Sequence, residues 1–200
     1  MLEASFIINL IIVIVEIIVL SHIKGKINIF KYYTYLQNFL LMITSLIYCV
    51  VILIHFITNN QILEFAKGLR YIATCGAVST TFIFVVFLQC GKRAPITKDD
   101  FIGDFNHIFA NIVLHYICPL LSLISFVVFE REIILNSGLW TMIVAIPSCL
   151  YWLIYIILTS TKVWKEPYDF TYKKKIWEVL TMIFIPLSFI LISFIIWNIK

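Results

Sequence analysis

Three polar side chains stand in line within a strongly apolar stretch. His107, Asn111 and His115 fall at i, i+4 and i+8, and Pro119 continues the row. Four residues turn an α-helix by about 400°, so successive members drift only ~40° and form one polar stripe. A second set, Thr34, Gln37 and Asn38, stands early in another apolar run. A hydroxyl and an imidazole at similar depth are the parts of an acyl-transfer site. Thr34 would be the nucleophile and a neutral His115 the general base. Asn111, Asn38 or Gln37 would orient the imidazole or donate to an oxyanion, and His107 would line the same pocket. At ~1.5 Å per residue, His115 lies ~15 Å and Thr34 ~7 Å into their runs. The same residues also have a purely structural reading. Thr34-x-x-Gln37 is a capping-box pattern, and Asn111 and His115 could hydrogen-bond across helices as polar glue. Glu16 is the sole acid deep in the first run. A charged carboxylate near the bilayer centre costs about 2.5–3.5 kcal/mol on insertion scales, so it should be protonated or paired. His55 reads as interfacial, and Ser79, Thr80 and Thr81 as makers of local backbone bonds or close helix contacts.

The elements that would position these residues follow from composition. The chain has 200 residues, of which 62% are hydrophobic and 13% charged. A soluble domain is about half apolar and about one quarter charged, and a soluble chain with this excess would expose large apolar patches. Lipid removes that difficulty but requires every backbone polar group to be paired internally, in helices or a closed barrel. A barrel needs short segments of alternating polarity, whereas this chain has long continuous apolar runs. Six are long enough for the hydrocarbon layer, at 4–22, 29–57, 71–89, 105–129, 139–158 and 177–197. The expectation is therefore an all-α integral membrane protein, a bundle of six transmembrane helices forming a single domain over residues 1–200. The first run has no basic segment before it and no small-residue cleavage site, and so reads as a retained helix. Pro119, Pro147 and Pro186 fall inside the last three runs and predict kinks, not breaks. The longest loop, 159–176, mixes Trp164, Tyr168, Phe170 and Tyr172 with lysines, a composition suited to the headgroup level.

Five cysteines lie in or beside the apolar runs without a C-x-x-C pattern. Neither a disulfide framework nor a zinc site is implied, and no cofactor is called for. The net charge of +4 sits in loops and suits an anionic inner leaflet, not a nucleic acid. Loops one, three and five carry Lys24, Lys26, Lys31, Lys92, Arg93, Lys98, Lys162, Lys165, Lys173, Lys174 and Lys175. The other face keeps Lys67, Arg70, Arg131 and Lys200. The positive-inside rule then puts the odd loops in the cytoplasm and both termini outside.

Three blocks carry a resemblance. Phe30-Lys-Tyr-Tyr-Thr-Tyr-Leu-Gln-Asn38 is similar to the "F-R-Y-F-T-x-x-S-N" that opens helix 2 of the bacterial Pr-six-Pr membrane proteins. Asn111-Ile-Val-Leu-His-Tyr-Ile-Cys-Pro119 resembles that group's "N-x-x-x-H-Y-x-x-P" on helix 4. Ile146-Pro147 through Tyr151 and Tyr155, followed by Pro167-Tyr-Asp-Phe170, resembles its helix 5 and "Y-P-Y-x-F" loop. The group is related to the eukaryotic androgen-induced (AIG-type) transmembrane hydrolases of fatty acid esters of hydroxy fatty acids. The resemblance implies a threonine nucleophile at Thr34, a histidine at His115 and an accompanying asparagine at Asn111. Where relatives commonly carry Asp-Trp after the helix 4 proline, this chain has Ser125 and Phe126.

Two functional classes are therefore expected. In the first, the protein is a multi-pass cell-membrane hydrolase of lipid acyl esters, with its pocket near the cytoplasmic face. In the second it is a small transporter or a headgroup-binding protein without covalent chemistry, or a structural subunit. Membrane lipid is the expected partner in each.

Overall fold

Long runs of Leu, Ile, Val and Phe become helices, because in lipid a helix pairs every backbone group within its own segment. The computed structural model describes residues 1–22, 32–58, 62–85, 105–130, 139–163 and 175–199. The side chains of 22, 105–108, 139 and 175–182 lie outside that description. Among the described residues the chain is all helical and forms six rods. We number them α1 (Leu2–His22), α2 (Tyr33–Thr58), α3 (Ile62–Ile83), α4 (105–130), α5 (139–160) and α6 (Lys175–Asn198). Four of them hold stretches long and apolar enough to cross a membrane, namely Leu2–Ser21, Tyr33–Thr58, Phe109–Glu130 and Trp140–Ser160. A shorter apolar stretch in α6 covers Ile183–Asn198.

The third rod departs from expectation. It begins at Ile62, not Tyr71, and so takes Glu64, Lys67 and Arg70 into the helix. Lys67 and Arg70 are buried, and neither is a loop charge on the face opposite the odd loops. The cause is that α3 is the central rod, touching α2, α4, α5 and α6. Its first turns are enclosed by neighbouring helices, where an ionic group can find partners that lipid would not supply. Small residues let those neighbours approach. Gly68 lies against the Trp140 indole, and Gly76 lies against the Gln37 amide.

The prolines act as their chemistry requires. Proline at i removes the N–H that would bond the carbonyl at i−4. Before Pro119 the helix widens to a π-turn, Val113–Ile117, closed by the Cys118 N–H donating to the Val113 carbonyl. The carbonyl that Pro119 leaves free is that of His115, and it accepts instead from the Thr81 hydroxyl of α3 at 2.6 Å. In α5 the helix is interrupted at Val144, between Leu139–Ile143 and Ala145–Ser160, just ahead of Pro147. Pro186 lies inside α6, which runs unbroken from Lys175 to Asn198.

The bundle is apolar outside and partly polar inside. On α1 the buried stripe is Ser5, Asn9, Ile12, Glu16 and Val19, at helical spacing, while Ile7, Leu10, Ile11, Ile14, Ile17 and Ile18 are exposed. This inverts a soluble helix and suits a lipid solvent. One core, with Ile12, Val19, Leu41, Ala73, Ala77, Leu114 and Cys118, lies among α1–α4. A second, aromatic core with Tyr33, Tyr71, Phe126, Tyr151, Trp152, Tyr155 and Phe189 joins α5 and α6 to α2, α3 and α4.

Candidate functional site

The interior of α1–α4 holds two polar layers. The first is built around an ion pair. Arg70 and Glu130 are both fully buried, with Arg70 Nε 3.3 Å from Glu130 Oε2. The other carboxylate oxygen, Oε1, accepts from Ser5 Oγ at 2.9 Å, Asn9 Nδ2 at 2.8 Å and Ser125 Oγ at 2.6 Å. The guanidinium donates from Nη1 to Ser45 Oγ and from Nη2 to Ser122 Oγ, each at 2.9 Å. Thr74 Oγ1 meets Ser122 Oγ at 2.7 Å. All four helices contribute, so the layer fixes their register. Each charge has a counter-charge and further hydrogen bonds, the condition under which a buried ion pair is tolerated. Ser125 lies five residues before Glu130 on the same helix and is itself bonded to this carboxylate.

The second layer lies about two turns further along α1. Cys49 Sγ meets the Phe6 carbonyl at 3.7 Å. Ten residues along α1 is Glu16 and eleven back along antiparallel α2 is Asn38, which sets them within ~1.5 Å of one level. The Cys118 thiol of α4 lies beside the Glu16 carboxyl. Glu16 is fully buried and Asn38 nearly so. Both Glu16 carboxyl oxygens and Asn38 Oδ1 lack any hydrogen-bond partner. His115, on the π-turn of α4, is also buried. Its ring stacks on Phe84, with centroids 3.7 Å apart and planes at 15°, and its Nδ1 has no partner.

The expected site residues divide accordingly. Gln37 Nε2 donates to the Ala73 carbonyl at 3.2 Å, and its Oε1 accepts from Tyr33 at 3.1 Å. Asn38 Nδ2 donates to the Thr34 carbonyl at 2.8 Å. Each of these two amides therefore commits one of its two N–H groups to a backbone carbonyl. Thr34 and Asn111 are half-buried. Gln37 lies against Gly76, and five residues further along α3 Thr81 meets His115. Thr34, three residues before Gln37, thus stands within ~3 Å of the level of His115. Among the described residues no hydrogen bond joins their side chains, and His115 Nδ1 has no partner. The His107 side chain lies outside the described residues. Ser79, Thr80 and Thr81 bond the carbonyls at i−4, as expected.

The ion-pair layer is the part that inspection of the runs misses. Arg70 falls one residue before the apolar run and Glu130 one residue after one, so both look like loop charges. The available signal is Ser5, Asn9 and Glu16 on one face of α1. Such a stripe in an otherwise lipid-soluble helix predicts polar partners on other helices. Among the described residues no three His, Cys, Asp or Glu side chains group as metal ligands. No family model, curated protein or solved structure matches the chain.

Proposed function

We propose that the protein is a multi-pass membrane protein of the cell membrane, with six crossings and the odd loops in the cytoplasm. In this reading its second polar layer holds a small guest rich in hydrogen-bond donors or positive charge. The class is that of a small transporter or headgroup-binding protein. The observation that carries the reading is the kind of atom left without a partner in this layer, namely two Glu16 oxygens, Asn38 Oδ1 and His115 Nδ1, while elsewhere among the described residues Asn9 Oδ1 and the Tyr48 hydroxyl are also unpartnered. Asn38 Oδ1 only accepts, both Glu16 oxygens accept once the carboxyl is ionised, and His115 Nδ1 accepts in the tautomer that carries its proton on Nε2. A buried acceptor without a donor costs free energy that a guest with N–H or cationic groups recovers. The first layer already balances its own charges, so the second is where a guest would gain most.

The test uses the detergent-solubilised full chain and three probe cations: ammonium, methylammonium and tetramethylammonium. A guest held at about 100-fold above its Kd stabilises the folded state by ~2.7 kcal/mol. Ammonium and methylammonium should raise the melting temperature of the native chain and not of Glu16→Gln. Tetramethylammonium, which has no N–H, should do less. Equal responses from the native chain and Glu16→Gln would refute the reading.

The lipid-ester hydrolase is the second reading, together with kinship to the Pr-six-Pr and AIG-type groups. It is favoured by the unpartnered His115 Nδ1 at the level of Thr34. Thr34 would attack the ester carbonyl carbon as His115 takes its proton, the ester C–O bond would break, and His115 would return the proton to the departing alcohol. Water activated by His115 would then attack the acyl-threonine, freeing the fatty acid and restoring the Thr34 hydroxyl. Transition-state stabilisation is the weaker half, because Gln37 and Asn38 each have one of their two N–H groups committed to a backbone carbonyl. A fluorophosphonate probe decides: labelling that is lost in both Thr34→Ala and His115→Ala, each still folded, would favour hydrolysis over guest binding.

A further inference from the structure

We propose that Glu16 is an exchangeable proton site of the membrane interior, a neutral carboxylic acid that gives up and regains its proton within the acceptor-lined layer. The proposal deepens the reading of that layer as a guest site, with the proton as its smallest guest. It rests on where Glu16 stands and what surrounds it. Helical spacing sets it on the buried stripe of α1 with Ile12 and Val19, and it is fully buried. Neither oxygen has a hydrogen-bond partner. The groups facing it can be named from each packed helix. From α4 they are the Cys118 thiol, at its side, and His115, a turn away. From α2 they are Asn38 and the partly buried Tyr35, which packs on the same core. From α3 it is Arg70, whose charge reaches Glu16.

Arg70 is the cation that could keep Glu16 ionised, and each of its three nitrogens already donates elsewhere. Nε goes to Glu130, Nη1 to Ser45 and Nη2 to Ser122. The charge of Arg70 is paired with Glu130, so an ionised Glu16 would carry a negative charge with no hydrogen-bonded counter-charge. A proton removes that charge, and its O–H gives the layer a donor among acceptors. Glu130 is the internal contrast. It is an equally buried carboxylate held by a cation and three donors.

Dicyclohexylcarbodiimide separates the two carboxyls. A protonated carboxyl adds across the carbodiimide C=N bond: its oxygen bonds to the central carbon and its proton goes to nitrogen. The O-acylisourea then rearranges by acyl transfer to nitrogen, giving a stable N-acylurea without any further reactant. The full chain in lipid vesicles, treated and then digested, should carry the adduct on Glu16 and not on Glu130. Labelling should fall as the pH is raised, vanish in Glu16→Gln and persist in Glu16→Asp. Sodium at fixed pH should not protect. Glu16 left unlabelled at every pH, or labelling that ignores pH, would overturn the proposal. Sodium protection would overturn it in favour of a metal-cation site. The ammonium melts are independent of this chemistry. Labelled Glu16 without ammonium stabilisation would sink the guest reading and leave the proton site, and the converse would sink the proton site alone.

Discussion

Replacing Glu130 by glutamine keeps the shape of the ion-pair layer and removes one charge. In the native chain Oε1 accepts three hydrogen bonds and Oε2 faces Arg70 Nε at 3.3 Å. Glutamine can keep its carbonyl oxygen on the three donors. Its amide then points N–H at N–H across the former ion pair, and the guanidinium remains charged with no counter-charge. Removing one member of a buried pair typically costs ~3–5 kcal/mol, because the other is left uncompensated. The retained Oε1 bonds put Glu130→Gln near the lower bound, at ~3 kcal/mol. Arg70→Met should cost less. A stranded carboxylate can take up a proton and keep Ser5, Asn9 and Ser125 as partners, whereas a guanidinium cannot lose its charge. The double variant removes both charges, so the two single costs should fail to add by at least ~2 kcal/mol. The assay is reversible unfolding in mixed detergent micelles, with helicity read against the denaturing detergent fraction. A Glu130→Gln cost under ~1 kcal/mol, or additive single effects, would show that this layer does not hold the bundle together.

Other perturbations test other links. Thr81→Val removes the donor to the carbonyl freed by Pro119 and should cost ~1–2 kcal/mol in the same unfolding assay. The loss should shrink in a Pro119→Ala background, where residue 119 regains an N–H; an undiminished loss there would contradict the role given to Thr81. Gly68→Ala would bring a Cβ to 2.9 Å from Trp140 Cη2. A rigid indole yields little, so ~1–3 kcal/mol of destabilisation is expected, and Trp140→Leu should relieve it. For the six-span topology, Gly91→Cys and Ser137→Cys in a cysteine-free background should lie on opposite sides of the membrane. A membrane-impermeant maleimide added to intact cells should label Ser137→Cys and spare Gly91→Cys; the reverse pattern would invert the orientation.

Much of the architecture was legible because its causes are local. Runs of 18 or more apolar residues commit a segment to a helix in lipid wherever the rest of the chain goes. The α1, α4, α5 and α6 boundaries fall within two residues of the expected runs on the described segments. The i, i+4 spacing of Asn111 and His115 likewise needs only the pitch of a helix. The extent of α3 was not legible, since charged residues end an apolar run by composition alone. Only the neighbours α2 and α4 can tell that Arg70 meets Ser45, Ser122 and Glu130.

What the amino-acid order determines by itself is which residues are lipid-soluble and which side chains share a helix face. It fixes the polar stripe of α1, the proline positions and the excess of basic residues in the odd loops. Tertiary structure decides which stripes meet. It pairs Arg70 with Glu130, 60 residues apart in the chain, and commits one N–H each of the Gln37 and Asn38 amides to a backbone carbonyl. It also leaves Glu16, Asn9, Asn38, Tyr48 and His115 with buried polar atoms that have no hydrogen-bond partner. Whether a buried polar atom has a partner depends on helix register, and packing sets register to within the pitch of a single turn.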